Sequence, residues 1–147
     1  MNPLKLPPTY FLLAVLAQFG LAWWFPGPPL EAVRAIIGGA FLLLGSLGVL
    51  AAALAFFRHR TPILPFREPS RLLTDGIYRY TRNPIYASEA VLLLGLAVLH
   101  GSPWTLLPIP AFVLVLHLGF IRPEERILRK TFGEAFEAYR KQVRPWF

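Results

Sequence analysis

The chain has 147 residues, 55% apolar and 16% charged, with a mean hydropathy of +0.50, which is too hydrophobic for an ordinary soluble domain and reads as a membrane protein. Its formal net charge of +7 raises nucleic acid as a partner, while the absence of cysteine excludes disulfides, thiol catalysis and cysteine-ligated metal. Three scattered histidines with no His-x-x-x-His pair give no basis for a metal site.

Four apolar stretches follow in chain order: Tyr10 to Phe25, Ala32 to Phe57, Ile85 to His100 and Trp104 to Ile121. The second is amply long for a hydrocarbon core of about 30 Å, and the others lie near the lower limit of about 17 residues. The first reads as an anchor helix rather than a signal peptide, because one lysine and Pro-rich flanks surround it and no small-residue cleavage site follows Trp23, Trp24 and Phe25. Gly38, Gly39, Gly45 and Gly48 in the second permit close helix packing. Arg34 is placed to snorkel to the outer interface, and Trp23, Trp24 and Trp104 fall where an aromatic belt belongs.

The basic residues set the orientation. Of 15 Lys and Arg, six lie between Arg58 and Arg82 and seven between Arg122 and Arg144, while the short loops at 26–31 and 101–103 hold none. The positive-inside rule then puts both termini and the Arg58 to Arg82 loop in the cytoplasm, with Lys5 in agreement. A basic surplus so placed marks orientation and contact with anionic headgroups, and nucleic acid is set aside as a partner. The loop contains Pro62, Pro65 and Pro69, and its Phe66, Ile77, Tyr78 and Tyr80 favour a segment packed on the membrane-facing surface.

At the end of that loop a polar basic segment turns abruptly into an apolar helix. Asp75-Gly76 is a turn signal; Asn83-Pro84 reads as a helix start, with Asn83 as N-cap and Pro84 in the first turn. Arg82, Tyr86 and Glu89 then share one face, and a helix N-terminus flanked by Arg82, Tyr78 and Tyr86 suits a carboxylate or other anion. Glu89 falls within the membrane, where an unpaired carboxylate is expensive; it reads as a functional group or as a structural partner of Arg82 or Arg122. In the fourth stretch Pro108 and Pro110 predict a kink, and the lone His117 reads first as a packing residue.

After Arg122-Pro123, the pair Glu124-Glu125 opens an amphipathic helix whose apolar side is Leu128, Phe132, Phe136, Tyr139 and Val143. It is expected to lie on the membrane surface. Adjacent helical residues point about 100° apart, so one site readily uses only one of the two acids.

Taken together, Gly76-Ile77-Tyr78, Arg82-Asn83-Pro84-Ile85-Tyr86, Glu124-Glu125, Phe132-Gly133, Tyr139 and Arg144-Pro145 resemble the motifs of a membrane methyltransferase family. That family includes isoprenylcysteine carboxyl methyltransferases, phospholipid (phosphatidylethanolamine) N-methyltransferases and their small bacterial relatives. The likeness runs from about Thr61 to the end. The departures are Asn83 where many members have His, Ser88 where Gly is frequent and Phe136 where Tyr is common.

The apolar stretches predict an all-α integral membrane bundle of about four transmembrane helices and a C-terminal interfacial amphipathic helix, and the resemblance implies a helical membrane fold as well. Residues 1–57 would be scaffold and residues 58–147 a cofactor-binding core. It implies methyl transfer from S-adenosylmethionine, leaving S-adenosylhomocysteine, to a lipophilic acceptor at the cytoplasmic face of a bacterial inner membrane. Tyr78, Arg82, Asn83, Pro84, Tyr86, Glu124 and Glu125 are then cofactor-binding candidates, and Arg82, Glu89, Glu125 and His117 candidates for the chemistry. An amine acceptor must first lose a proton, for which Glu89 and His117 are the nearby groups, whereas a carboxylate needs no base. The basic rim of Arg79, Arg82, Arg122 and Arg126 favours an anionic acceptor such as a prenyl-cysteine carboxylate over phosphatidylethanolamine. The non-enzymatic alternative is a small four-helix transporter or assembly protein.

Overall fold

The computed structural model describes residues 6–59 and 71–146. Lys5, Pro62, Pro65, Phe66 and Pro69, on which parts of the sequence reading rest, lie outside the described residues. Those described form helices and connecting turns, with no strand among them. Helix α1 spans Pro7–Trp24 and α2 Ala32–Arg58; after a 3-10 turn at Gly76–Arg79, α3 runs Pro84–His100. A second 3-10 turn, Pro103–Leu106, leads into α4, Pro108–Leu116, which passes through a π-helical turn at His117–Ile121 into α5, Arg122–Phe132. Helix α6 is Glu134–Gln142.

Burial in α2 is inverted relative to a soluble helix. Its buried positions are Gly38, Gly45 and Ala52, seven residues apart, while Leu43, Leu44, Leu47 and Leu50 are more than half exposed. Small residues turned inward and leucines turned outward suit a helix whose outer surroundings are lipid, since close backbone approach is what holds helices together there. The glycine seam meets α3: a Cβ added at Gly38 would lie 2.6 Å from Leu99, and one at Gly45 2.7 Å from Leu92 and 2.9 Å from the Ser88 carbonyl. Gly39, grouped with them in the sequence reading, has nothing within 4 Å and takes no part.

Two continuous helical rods are long and apolar enough to cross a membrane, Ala32–Arg58 and Pro103–Phe132; α3 is a shorter apolar helix of 17 residues. The described residues are thus all-helical, and two of their rods are candidate membrane spans by length and composition. On the other side of α3, Leu93 packs with Ala14 of α1, Phe112 and Leu116 of α4 and Phe120 of the π turn to form the main core. Gln18, fully buried, donates from Nε2 to the Leu93 and Thr105 carbonyls at 2.9 and 2.8 Å, tying α1 to both neighbours.

Two local expectations are corrected. Pro108 and Pro110 start α4 instead of kinking it: the chain reaches Pro108 through a 3-10 turn, so the first-turn positions that tolerate Pro are where the prolines sit. The amphipathic tail is two helices broken at Gly133, whose φ of 51° and ψ of −121° no helix contains. The break lets α6 fold back, so that Phe136, Tyr139 and Val143 are buried against Leu72, Leu128 and Phe132. Arg34 turns to its own loop, donating to the Pro28 carbonyl at 2.8 Å and to that of Pro29.

Candidate functional site

The site is assembled where the start of α3, the start of α5 and the C-terminal tail meet. Asn83 precedes α3 but its side chain makes no cap; Nδ2 instead donates to the Pro145 carbonyl at 2.9 Å. Thr81 Oγ1 accepts from the Asn83 amide at 3.2 Å and donates to the same Pro145 carbonyl at 3.1 Å, while the Arg82 amide donates to the Arg144 carbonyl at 2.9 Å. The N-cap expectation fails because the tail supplies acceptors that draw the Asn83 amide away from the helix end. Pro84, buried at the first helical position, needs no partner there.

The two adjacent acids diverge as helical geometry requires. Glu125 Oε1 accepts from Arg82 Nε at 3.1 Å and from Nη2 at 2.5 Å, with the arginine side chain 8% exposed. Arg82 Nη1 donates to the Arg140 carbonyl at 3.1 Å and to that of Val143. One guanidinium thereby joins α3, α5 and the end of α6. Glu124 Oε1 accepts from the Tyr86 hydroxyl at 3.0 Å, and among the described residues its other oxygen has no hydrogen-bond partner.

Tyr78 and Tyr139 close the flank, the Tyr139 hydroxyl donating to the Tyr78 carbonyl at 2.6 Å. Burial pushes both phenols well above their ordinary range, so both stay protonated donors. A cavity of about 500 Å³ is lined by Thr74, Arg79, Tyr139, Gln142 and Val143; Tyr86, Glu89 and Glu124 do not line it.

Glu89 shares the inward face of α3 with Tyr86 and Leu93, three residues after one and four before the other, and is 8% exposed. Among the described residues it pairs with neither Arg82 nor Arg122, and its Oε2 is buried with no hydrogen-bond partner. His117 opens the π turn and accepts from Trp146 Nε1 at Nδ1, at 3.4 Å. Trp146 also packs on the main core, which anchors the tail. The structure therefore brings Tyr78, Arg82, Asn83, Tyr86, Glu124 and Glu125 together, and sets His117 against the tail. Sequence reasoning missed Thr81, Arg140, Val143 and Trp146. Three of these act through backbone carbonyls or a local hydroxyl, groups that carry no side-chain signature, and the Arg144-Pro145 pair was the available pointer.

Polar residues interlocked at one end of an apolar helical bundle define a helical membrane protein with its site at the edge of the apolar layer. Residues 33–135 match the phospholipid methyltransferase family, and the chain belongs to it. It is 41% identical over 75 residues to the protein-S-isoprenylcysteine O-methyltransferase of Schizosaccharomyces pombe, covering 49% of this chain and 30% of that protein. It is 35% identical over 81 residues to a probable protein-S-isoprenylcysteine O-methyltransferase of Oryza sativa, covering 53% of this chain and 41% of the relative. The chain thus spans less than half the length of these relatives. Protein-S-isoprenylcysteine O-methyltransferase B of Arabidopsis thaliana is 25% identical over 134 residues, 90% of this chain and 68% of that protein. In fold it is similar to a eukaryotic intramembrane Ras methyltransferase, an isoprenylcysteine carboxyl methyltransferase, with a TM-score of 0.64 and 24% identity over 92% of this chain and 50% of that one.

Proposed function

We propose that the protein is an S-adenosylmethionine-dependent methyltransferase acting on a lipophilic carboxylate of the prenyl-cysteine kind at the cytoplasmic face of the membrane. The observation that carries this reading is the pairing of Tyr86 with Glu124 beside the Arg82–Glu125 pair. These are motif residues of the family, far apart in sequence and held together without a bond from any described residue to the second oxygen of Glu124.

The residues present fit the cofactor. S-adenosylmethionine supplies an electrophilic methyl group on a sulfonium together with its own leaving group, so the protein has to align, hold and exclude water. The Glu124 oxygen that no described residue bonds suits the cationic amino group, with Tyr86 fixing the carboxylate's orientation. The first-turn amides of Ile85 and Tyr86, which helix geometry leaves without intrahelical acceptors, suit the carboxylate. Arg82 has one Nη2 hydrogen left for a ligand once its bonds to Glu125, Arg140 and Val143 are made, so its larger part is to hold Glu125 and the tail in place. A carboxylate acceptor attacks as it stands and asks no proton of the protein.

Two experiments test this. Calorimetry of detergent-purified protein with S-adenosylhomocysteine is expected to give micromolar binding, and no binding up to millimolar favours a transporter or assembly role. Radiolabelled S-adenosylmethionine offered with a farnesyl-cysteine analogue is expected to give base-labile, volatile label, the mark of a methyl ester. Label found only in methylated ethanolamine lipid would overturn the choice of acceptor.

A further inference from the structure

Glu89 is the one acid of α3, and the site described above does not use it. It lies one turn deeper than Tyr86 and beneath the Tyr86–Glu124 pair. Its carboxyl group is bonded to no described residue, and Oε2 is shut off from solvent. Ser88, one residue earlier, faces the other way, into the glycine seam of α2: a Cβ at Gly48 would lie 2.2 Å from Ser88 Oγ and one at Gly45 2.9 Å from its carbonyl. The helix rotation that seats Ser88 on α2 therefore aims Glu89 between α2 and the core face of α1 and α4.

A buried carboxylate oxygen without a donor is costly, and no described residue supplies one to Glu89 Oε2; Gln18 Oε1 and Ser102 Oγ are unpartnered too, but Glu89 is the one acid among these groups. A basic partner would have been simple to place, since Arg79, Arg122 and Arg126 are all exposed near that end of the bundle. What the position wants is a hydrogen-bond donor brought by a ligand. The cofactor's cationic amino group already has Glu124 nearer the cytoplasm, which leaves the acceptor.

We infer that Glu89 is an acceptor-recognition residue, receiving an N–H donor, amide or ammonium, carried next to the reacting carboxylate. This rests on the prenyl-cysteine reading given above and adds a residue to it: Glu89 reads the nitrogen beside the reacting carboxylate. Glu89 forms and breaks no covalent bond; it orients the acceptor so that one carboxylate oxygen faces the methyl group.

The test compares three acceptors on the purified full-length protein in lipid nanodiscs: S-farnesylcysteine with a free ammonium, its N-acetyl form with an amide N–H, and S-farnesyl-3-mercaptopropionate, which lacks nitrogen. The wild type is expected to favour a nitrogen-bearing acceptor over the propionate by roughly tenfold or more in kcat/KM, the worth of a hydrogen bond to a charged group. Preference for the ammonium over the amide marks the charged donor, and the reverse marks the neutral one. Glu89→Leu should abolish that preference by losing activity on the nitrogen-bearing acceptors alone, Glu89→Gln should retain part of it, and the thermal midpoint of the leucine variant should equal or exceed the wild type's. Equal wild-type turnover of all three, or an equal loss on all three in either variant, overturns the assignment. If the leucine variant fails to fold, the glutamine variant with an unchanged preference ratio would also overturn it, because an amide cannot supply the carboxylate's charge. Label entering only ethanolamine lipid instead sinks the underlying carboxylate reading, which separates the two failures.

Discussion

Arg82 shows what a motif residue does when its surroundings are known. The sequence reading gave it to a ligand anion, from its place beside a helix N-terminus; the structure records four hydrogen bonds from its guanidinium to Glu125, Arg140 and Val143. Removing it leaves a largely buried carboxylate and two carbonyls without donors. Arg82→Ala is therefore expected to destabilise the protein by about 3 kcal/mol, and Arg82→Lys to restore little, since an ammonium cannot reproduce the planar fork. Thermal unfolding in detergent measures both; a midpoint equal to wild type would return Arg82 to the ligand. Glu124→Gln should behave oppositely, because Tyr86 can still donate to the amide oxygen while the negative charge is lost. Binding of S-adenosylhomocysteine should weaken about tenfold with the thermal midpoint nearly unchanged, and unaltered affinity would remove Glu124 from the site. The 100° rule was enough to say that the two acids separate, but which one meets which partner depends on the π turn at His117–Ile121. That turn inserts an extra residue into the helical phase ahead of Glu124, and nothing in the local composition announces it.

At the scale of the element, α2 and the tail differ in how far the sequence revealed them. The glycines of α2 were visible as a packing face, since a run of small residues in an apolar helix has few other uses. Which of them matter depends on the helical phase relative to α3, and the structure separates Gly38 and Gly45 from Gly39. Gly45→Ala is expected to cost about 1 to 3 kcal/mol, because its Cβ would meet the Ser88 backbone carbonyl at 2.9 Å, where little can give. Gly39→Ala, with nothing within 4 Å, is expected to be neutral or to stabilise by up to about 1 kcal/mol through helix propensity. Thermal midpoints of the two single variants decide it, and equal effects would dismiss the seam. The tail was legible as amphipathic but not as folded back: the apolar spacing continues through Gly133, and only its φ of 51° breaks the helix. Phe136, Tyr139 and Val143 consequently meet the chain's own Leu72, Leu128 and Phe132 where a membrane surface was expected.

For the whole molecule, composition points to the class, and the pattern of basic residues predicts an orientation with both termini cytoplasmic. Two rods are candidate spans by length and composition; α1, with 18 residues, and α3, with 17, are about 26 Å long at 1.5 Å per residue, close to the thickness of the apolar layer. Packing argues for their crossing too. Leu93 of α3 lies in one core with Phe112 and Leu116 of α4, and Gln18 of α1 bonds the carbonyls of both Leu93 and Thr105, so α1, α3 and α4 share the same depth. A two-crossing arrangement would put everything between α2 and α4 on one side, Thr74 and Trp104 alike. Four crossings put them on opposite sides, with Trp104 beside Leu30. Gly27 and Gly101 are poor places for a probe, since a Cβ at either would strike backbone or Arg34. Leu30, 58% exposed, and Trp104, 50% exposed, are better, with the exposed Thr74 and Lys141 for the other face. In intact cells a membrane-impermeant thiol reagent should label Leu30→Cys and Trp104→Cys, and should reach Thr74→Cys and Lys141→Cys only after permeabilisation. Labelling of Trp104→Cys together with Thr74→Cys would reduce the crossings to two and place the Tyr86–Glu124 pair outside the membrane's edge.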